Sequence, residues 1–173
     1  MPTKEKPAIP LEQFKAGLVS VCDIDWARLA AFIDGEGSIV IYRALPIGRQ
    51  KSITYALTVS ITNSSPVLIS WLNETFGGSV HDKPPRVENP LSKRPMWSWH
   101  LQEQQAGIVL QNCLPYFIIK RQQAEIGIAF SELKAATAPK PFTRVSESSL
   151  KKREELRNKI HLLNSPRSAE RVG

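Results

Sequence analysis

The stretch Leu29-Ala30-Ala31-Phe32-Ile33-Asp34-Gly35-Glu36-Gly37 decides how this chain is read. Ala27, Ala31 and Gly35 recur every four residues, so on a helix they stack along one face. A stripe of such small residues lets a second helix backbone approach closely. Leu29, Phe32 and Ile33 are bulky and pack toward a core. The helix therefore has one bulky apolar face and one flat face. It ends at two acids, Asp34 and Glu36, separated by a glycine. A carboxylate at a helix C-terminus is electrostatically unfavourable, so something must offset it, and a cation is the natural candidate. Asp25 reads as the N-cap of a helix over 26–34, which Gly35 and Gly37 then end.

Working outward, residues 38–44 (SIVIYRA) read as a strand and 45–52, with Pro46 and Gly48, as a loop. In 53–62 the pattern alternates strictly. Ile53, Tyr55, Leu57, Val59 and Ile61 share one face; Thr54, Ala56, Thr58, Ser60 and Thr62 share the other. That is a half-buried antiparallel strand with a small, hydroxyl-rich outer face. Ser65 caps a helix that has Pro66 at its first position and stops at Gly77-Gly78. Strands follow at 79–83 and 96–101, then helices at 103–112, 120–136 and 147–163, with Pro115, Pro139 and Pro141 as breaks. A short helix at 11–21 precedes everything. The order predicts an α+β domain with one antiparallel sheet. Residues 1–24 read as an N-terminal arm with its short helix, 25–164 as a single domain and 165–173 as a flexible tail.

The chain has 173 residues and a formal net charge of +7, with a pI of about 9.6. A basic balance favours nucleic acid or an anionic membrane surface as partner. The charge is uneven: no Asp or Glu occurs from Gly37 to Asn73, and from Ser131 to Gly173 ten Lys or Arg face five Glu. No long uncharged apolar run is present, and Met1 to Pro10 contain no apolar core of a secretory signal, so an intracellular location is expected. Cys22 and Cys113 fit neither a disulfide framework nor a metal knuckle. No Ser-His-Asp, Cys-His or phosphate-loop pattern is present.

Residues 29–37 resemble the LAGLIDADG signature of the homing endonucleases, and a strand follows directly, as in that family. The resemblance extends over about residues 25–135, including 115–124 (PYFIIKRQQA). It implies an α-β-β-α-β-β-α fold whose four-stranded antiparallel sheet forms a DNA-binding saddle. It also implies that the motif helix packs on a twin through Ala27, Ala31, Asp34 and Gly35. Glu36 is implied as the metal-binding carboxylate, with the Gly35 carbonyl as a second ligand and a divalent cation (Mg²⁺) as cofactor. Glu36, Lys120 and Asn63 are implied as catalytic, Lys120 adding positive charge at the active site and Asn63 orienting a water. Glu36 stands where the name motif has Asp. Asp34, the first acid of the motif, has a structural role near the helix end. Ala16-Gly17-Leu18-Val19 echoes the motif but lacks its acidic ending, so one copy is counted. One copy cannot pair with itself, which implies a homodimer and a roughly palindromic site in double-stranded DNA.

A two-stranded β ribbon fits the DNA major groove. The candidate DNA contacts on the first strand pair and its loop are Ser38, Val40, Tyr42, Arg43, Arg49, Lys51, Thr54, Thr58, Ser60 and Thr62. On the second pair they are His81, Lys83, Arg86, Arg94, Ser98 and His100. Lys140, Arg144, Lys151, Lys152 and Arg153 are candidates for phosphate contacts. Trp97 and Trp99 share parity with Leu101 and read as core. The rival functions on the same fold are an RNA-splicing maturase acting on intron RNA and a DNA-binding regulator that does not cleave.

Overall fold

Hydrophobic periodicity sorts the chain into two layers, and the computed structural model, which describes residues 9–45, 53–83, 95–138 and 144–165, shows how they meet. Helix α1 (Leu11–Leu18) leads into α2 (Asp23–Glu36), the strands β1 (Gly37–Ala44) and β2 (Thr54–Asn63), and helix α3 (Pro66–Phe76). Strands β3 (Ser79–Lys83) and β4 (Met96–Gln102) follow, then α4 (Glu103–Cys113) and a 3-10 turn (Leu114–Tyr116). Helices α5 (Arg121–Ala136) and α6 (Glu147–Leu163) close the order. The sheet is wholly antiparallel with strand order β1-β2-β4-β3.

The alternation read in β2 is the alternation observed. Tyr55, Leu57, Val59 and Ile61 are buried, and with Ile39, Ile41, Trp99 and Leu101 they form the inner face of the sheet. The helices cover that face with Leu29 and Ile33 from α2, Leu72 and Phe76 from α3, Val109 and Leu110 from α4, Phe130 from α5 and Ile160 from α6. The Trp99 indole finds its partner by donating to the Gly77 carbonyl at 2.7 Å. Gly77 and Gly78 stop α3 with φ of +68° and +93°, a turn that side-chain-bearing residues enter only with strain. Ser65 accepts from the Leu68 amide and Ser146 from the Ser149 amide, capping α3 and α6.

Several boundaries differ from the sequence expectation. Helix α1 stops at Leu18, and its Phe14 is buried in the core. Helix α2 begins at Asp23 rather than after Asp25. The extended Cys22 stands at the N-cap position, and its carbonyl accepts from the Asp25 and Trp26 amides. Asp25 lies in the first turn, where a negative charge is favoured, and pairs with Arg28 at 3.3 Å. The helix also runs through Gly35 to Glu36, so Gly37 alone makes the exit.

Gly37 is required there by space. A Cβ on it would lie 2.6 Å from the Ile33 Cα, a backbone atom that cannot rotate away. The strand thus leaves the helix immediately, which fixes where Glu36 stands. Gly37→Ala is expected to destabilise the fold by about 2–3 kcal/mol, in the upper range of single substitutions. Urea unfolding followed by circular dichroism measures it.

Candidate active site and nucleic-acid interface

The site is built where α2 ends. Asp34 is buried, and its carboxylate accepts from three successive backbone amides just before α5: Ile118 at 2.8 Å, Ile119 at 3.2 Å and Lys120 at 2.8 Å. The unfavourable dipole of its own helix is thus offset by the positive N-terminal end of another. In return, the Lys120 ammonium donates to the Ile33 carbonyl at 2.7 Å and the Asp34 carbonyl at 2.6 Å. Burial pulls the Lys120 ammonium below its ordinary value, while the Asp34 charge pushes it back up. Asp34 was expected on the face shared with a twin; its side chain instead faces its own chain, committed to these amides.

Glu36, one residue beyond Gly35, is exposed. The Asn63 side-chain amide donates to it from the end of β2, and the Asn63 carbonyl oxygen accepts from the Ser65 amide at 2.8 Å. That second bond fixes which end of the Asn63 amide faces the acid. The two residues meet because Gly37 pairs with Ile61, so both strands end at the tip of α2. Glu36 and the Gly35 carbonyl offer oxygen donors suited to a hard cation. Among the described residues no three His, Cys, Asp or Glu side chains converge.

Beside this tip the surface is small and apolar. Ala31 and Gly35 are exposed, Ala27 is half-buried, and a Cβ on Gly35 would meet nothing within 4 Å. Ile118 and Ile119 are 89% and 70% exposed, on the segment whose amides bind Asp34. The sequence reading missed these two. Their signal was a pair of bulky apolar residues in a bend, outside any helix or strand that could bury them.

The outer face of the sheet is polar. Ser38 and Ser60 hydroxyls lie 2.9 Å apart across β1 and β2, and Thr62 and Ser98 hydroxyls 2.9 Å apart across β2 and β4. Lys83 donates to Thr62 at 3.2 Å, and Ser79 bonds the His81 ring at 3.1 Å. The His81 and His100 rings meet edge to face at 5.3 Å. Burial first, then the charges of His81 and Lys83, hold His100 below its ordinary 6.5. Of the expected contacts, Tyr42, Thr54, His81 and Lys83 are exposed, and Ser38, Val40, Ser60, Thr62 and His100 are half-buried.

Four expected DNA contacts are placed differently. Thr58 and Ser98 lie on the outer face yet are buried, because short side chains there are shadowed by their cross-strand neighbours. Arg43 pairs with Tyr55 in register, so it points to the helix side, where it meets Glu154 at 3.6 Å. Arg153 is buried, and its guanidinium donates to the Thr137 hydroxyl at 2.9 Å. Its position was legible: Ser149, Arg153, Leu156 and Ile160 share one helix face, and Ile160 is core. Arg144, Lys151 and Lys152 are exposed, the two lysines on α6, which packs on the helix side of the sheet. Arg49, Lys51, Arg86, Arg94 and Lys140 lie outside the described residues, as do residues 1–8 of the arm and 166–173 of the tail.

No family model matches the chain, and comparison with curated proteins finds no sequence match. Solved structures do match. The homing endonuclease I-CvuI, in complex with its target in the presence of calcium, gives a TM-score of 0.64 at 19% identity, covering 83% of this chain and 83% of that one. The archaeal intron-encoded homing endonuclease I-Vdi141I, complexed with DNA, gives 0.64 at 14% identity, covering 83% and 86%. The chain has the LAGLIDADG homing-endonuclease fold. A third structure, the LAGLIDADG homing endonuclease I-SmaMI bound to cleaved DNA, gives 0.63 at 14% identity, covering 92% of this chain and 55% of the other. In this chain the residues that resemble the motif, 29–37, run from within α2 to the first residue of β1, with Glu36 the last residue of the helix.

Two outcomes test this geometry. Asp34→Ala removes the acceptor of three part-buried amides and is expected to cost about 2–3 kcal/mol, at the scale of lost charge-assisted bonds, measured by urea unfolding. With its folded value below 6.5, His100 binds a proton more readily in the unfolded chain. Its contribution to stability is complete above that pH and is lost as pH falls through the folded value. The Tm of His100→Asn should therefore fall less than that of the wild type on acidification from neutral pH, as read by thermal unfolding.

Proposed function

We propose that the chain is a sequence-specific endonuclease that hydrolyses double-stranded DNA as a homodimer, using a divalent cation held by Glu36. The observation that carries this reading is the exposed Glu36 carboxylate at the tip of α2, aimed by Asn63 and standing beside the uncovered Ala31–Gly35 face. A carboxylate left in solvent, yet fixed by a side-chain amide that is itself fixed, is prepared for a partner the single chain does not contain.

A second copy packed on the small face of α2 would bring two Glu36 side chains to one junction. The coverage of the solved structures supports this: the chain matches over four-fifths of the I-CvuI chain but about half of the I-SmaMI chain. The absence of acids from Gly37 to Asn73 leaves the outer face of β1 and β2 free of charges that would repel phosphate. The hydroxyls and histidines of that face offer both donors and acceptors to base edges. Mg²⁺ fits the oxygen donors of Glu36 and Gly35; a structure of I-CvuI with the I-CreI target was obtained in the presence of magnesium, with the DNA not cleaved. Bound there, such a cation supplies an activated water and neutralises charge at the phosphate. Glu36 holds it, Asn63 keeps the carboxylate from swinging away, and the twin subunit excludes bulk water from the junction.

The test begins with a duplex selected from a randomised library by binding in Ca²⁺, then offered to the protein in Mg²⁺. Double-strand cleavage is expected. Glu36→Gln should retain binding and lose roughly 10²–10³-fold in cleavage, the scale of several kcal/mol at a metal-stabilised transition state. Cleavage that survives this change would exclude the assignment. A maturase or a non-cleaving regulator would bind nucleic acid with no cleavage in either form. Gly35→Leu, whose Cβ would meet nothing within 4 Å among the described residues, should fold and yet sediment as a monomer.

A further inference from the structure

Lys120 is bonded to Asp34 twice, as the donor each time. Its backbone amide donates to the Asp34 carboxylate at 2.8 Å, and its ammonium donates to the Asp34 carbonyl at 2.6 Å. The same ammonium reaches the Ile33 carbonyl at 2.7 Å. Both carbonyls belong to the last turn of α2: that of Ile33 also accepts from the Gly37 amide, and that of Asp34 lies where a helix leaves its acceptors without internal partners. Two of the three ammonium protons are thereby spent on backbone, and the group is half-buried rather than presented to solvent. A lysine meant to meet a phosphate gains nothing from this seat. A lysine meant to hold a helix end does, because a cation at a helix C-terminus is favoured.

We propose that Lys120 is a positioning residue, which fixes the end of α2 and so sets the direction of the Gly35 carbonyl and the Glu36 carboxylate. It does not touch the scissile phosphate. What is positioned rests on the endonuclease reading; the positioning itself does not. The Asp34 carboxylate completes the device from the other side, by tying the same helix end to residues 118–120. The exposed Ile118–Ile119 pair is carried on that tied segment.

The experiment uses Lys120→Met, which keeps the length and removes the charge, alongside Lys120→Arg, which keeps the charge on a larger head. Amide hydrogen exchange is first measured on the protein alone. Positioning predicts severalfold faster exchange at residues 35–37 and 118–120 in both variants. Calcium binding in the presence of DNA is measured next. Positioning predicts an apparent Ca²⁺ affinity weaker by about 10–100-fold in Lys120→Met, the usual effect of losing an outer-shell partner. Cleavage should then largely recover at saturating Mg²⁺. The opposite pattern would overturn the proposal: unchanged exchange and Ca²⁺ affinity, cleavage lost in Lys120→Met at every Mg²⁺ concentration, and cleavage kept in Lys120→Arg. If the wild type neither binds Ca²⁺ nor cleaves, the endonuclease reading fails, while the exchange measurement still decides whether Lys120 holds the helix end. Should Lys120→Met not fold, exchange in Lys120→Arg decides alone.

Discussion

Two helix ends are joined by exchanged charges, and the rest of the site hangs on that joint. Helix α2 finishes with carbonyls that need donors, and the chain entering α5 offers amides that need an acceptor. Asp34 and Lys120 serve each other's helix: the carboxylate takes the amides of Ile118, Ile119 and Lys120, and the ammonium takes the carbonyls of Ile33 and Asp34. An acid at the wrong end of its own helix thereby becomes an acid at the right end of another. Partly buried, charge-assisted bonds of this kind are stronger than neutral ones and hold direction as well as distance. Since β1 starts at Gly37, where no side chain fits over Ile33, the same joint fixes the root of the sheet.

The joint accounts for one of the two acids and leaves the other over. Asp34 is spent on structure inside the chain. Glu36 has the Asn63 amide and open solvent. Around it stand an uncovered helix face of Ala31 and Gly35, the bare Ile118 and Ile119, and the polar outer face of the sheet. Each is costly or idle in an isolated chain. On the proposed function, the small face would be covered by a second helix, the apolar pair by the same partner and the sheet by a polyanion.

Most of the fold was legible because two periodicities were clean. The strict alternation of 53–62 gave the inner face of β2 directly, and Ser65-Pro66 with Gly77-Gly78 gave both ends of α3. The errors sit where neighbours across the sheet or along the chain decide. Parity placed Thr58 and Ser98 on the outer face correctly, yet it could not see that flanking strands shadow short side chains. Arg43 was taken for a DNA contact by its charge, although its parity with Ile41 put it on the helix side. Arg153 was read the same way, although its helical spacing from Ile160 pointed inward. The sequence marked Glu36, Asn63 and Lys120 as a group, and they do converge on the tip of α2. What it could not show is that Lys120 faces the helix carbonyls, because that depends on how the bend at 118–120 meets α2.

The central claim is that two copies each contribute one Glu36 and each cut one strand. The most direct measurement uses a mixed dimer, with one wild-type protomer and one Glu36→Gln protomer carrying different affinity tags, on a supercoiled plasmid containing the selected site. A product nicked in one strand and not linearised is the expected result. Linearisation at the wild-type rate by the mixed dimer would contradict it, since one Glu36 would then serve both strands.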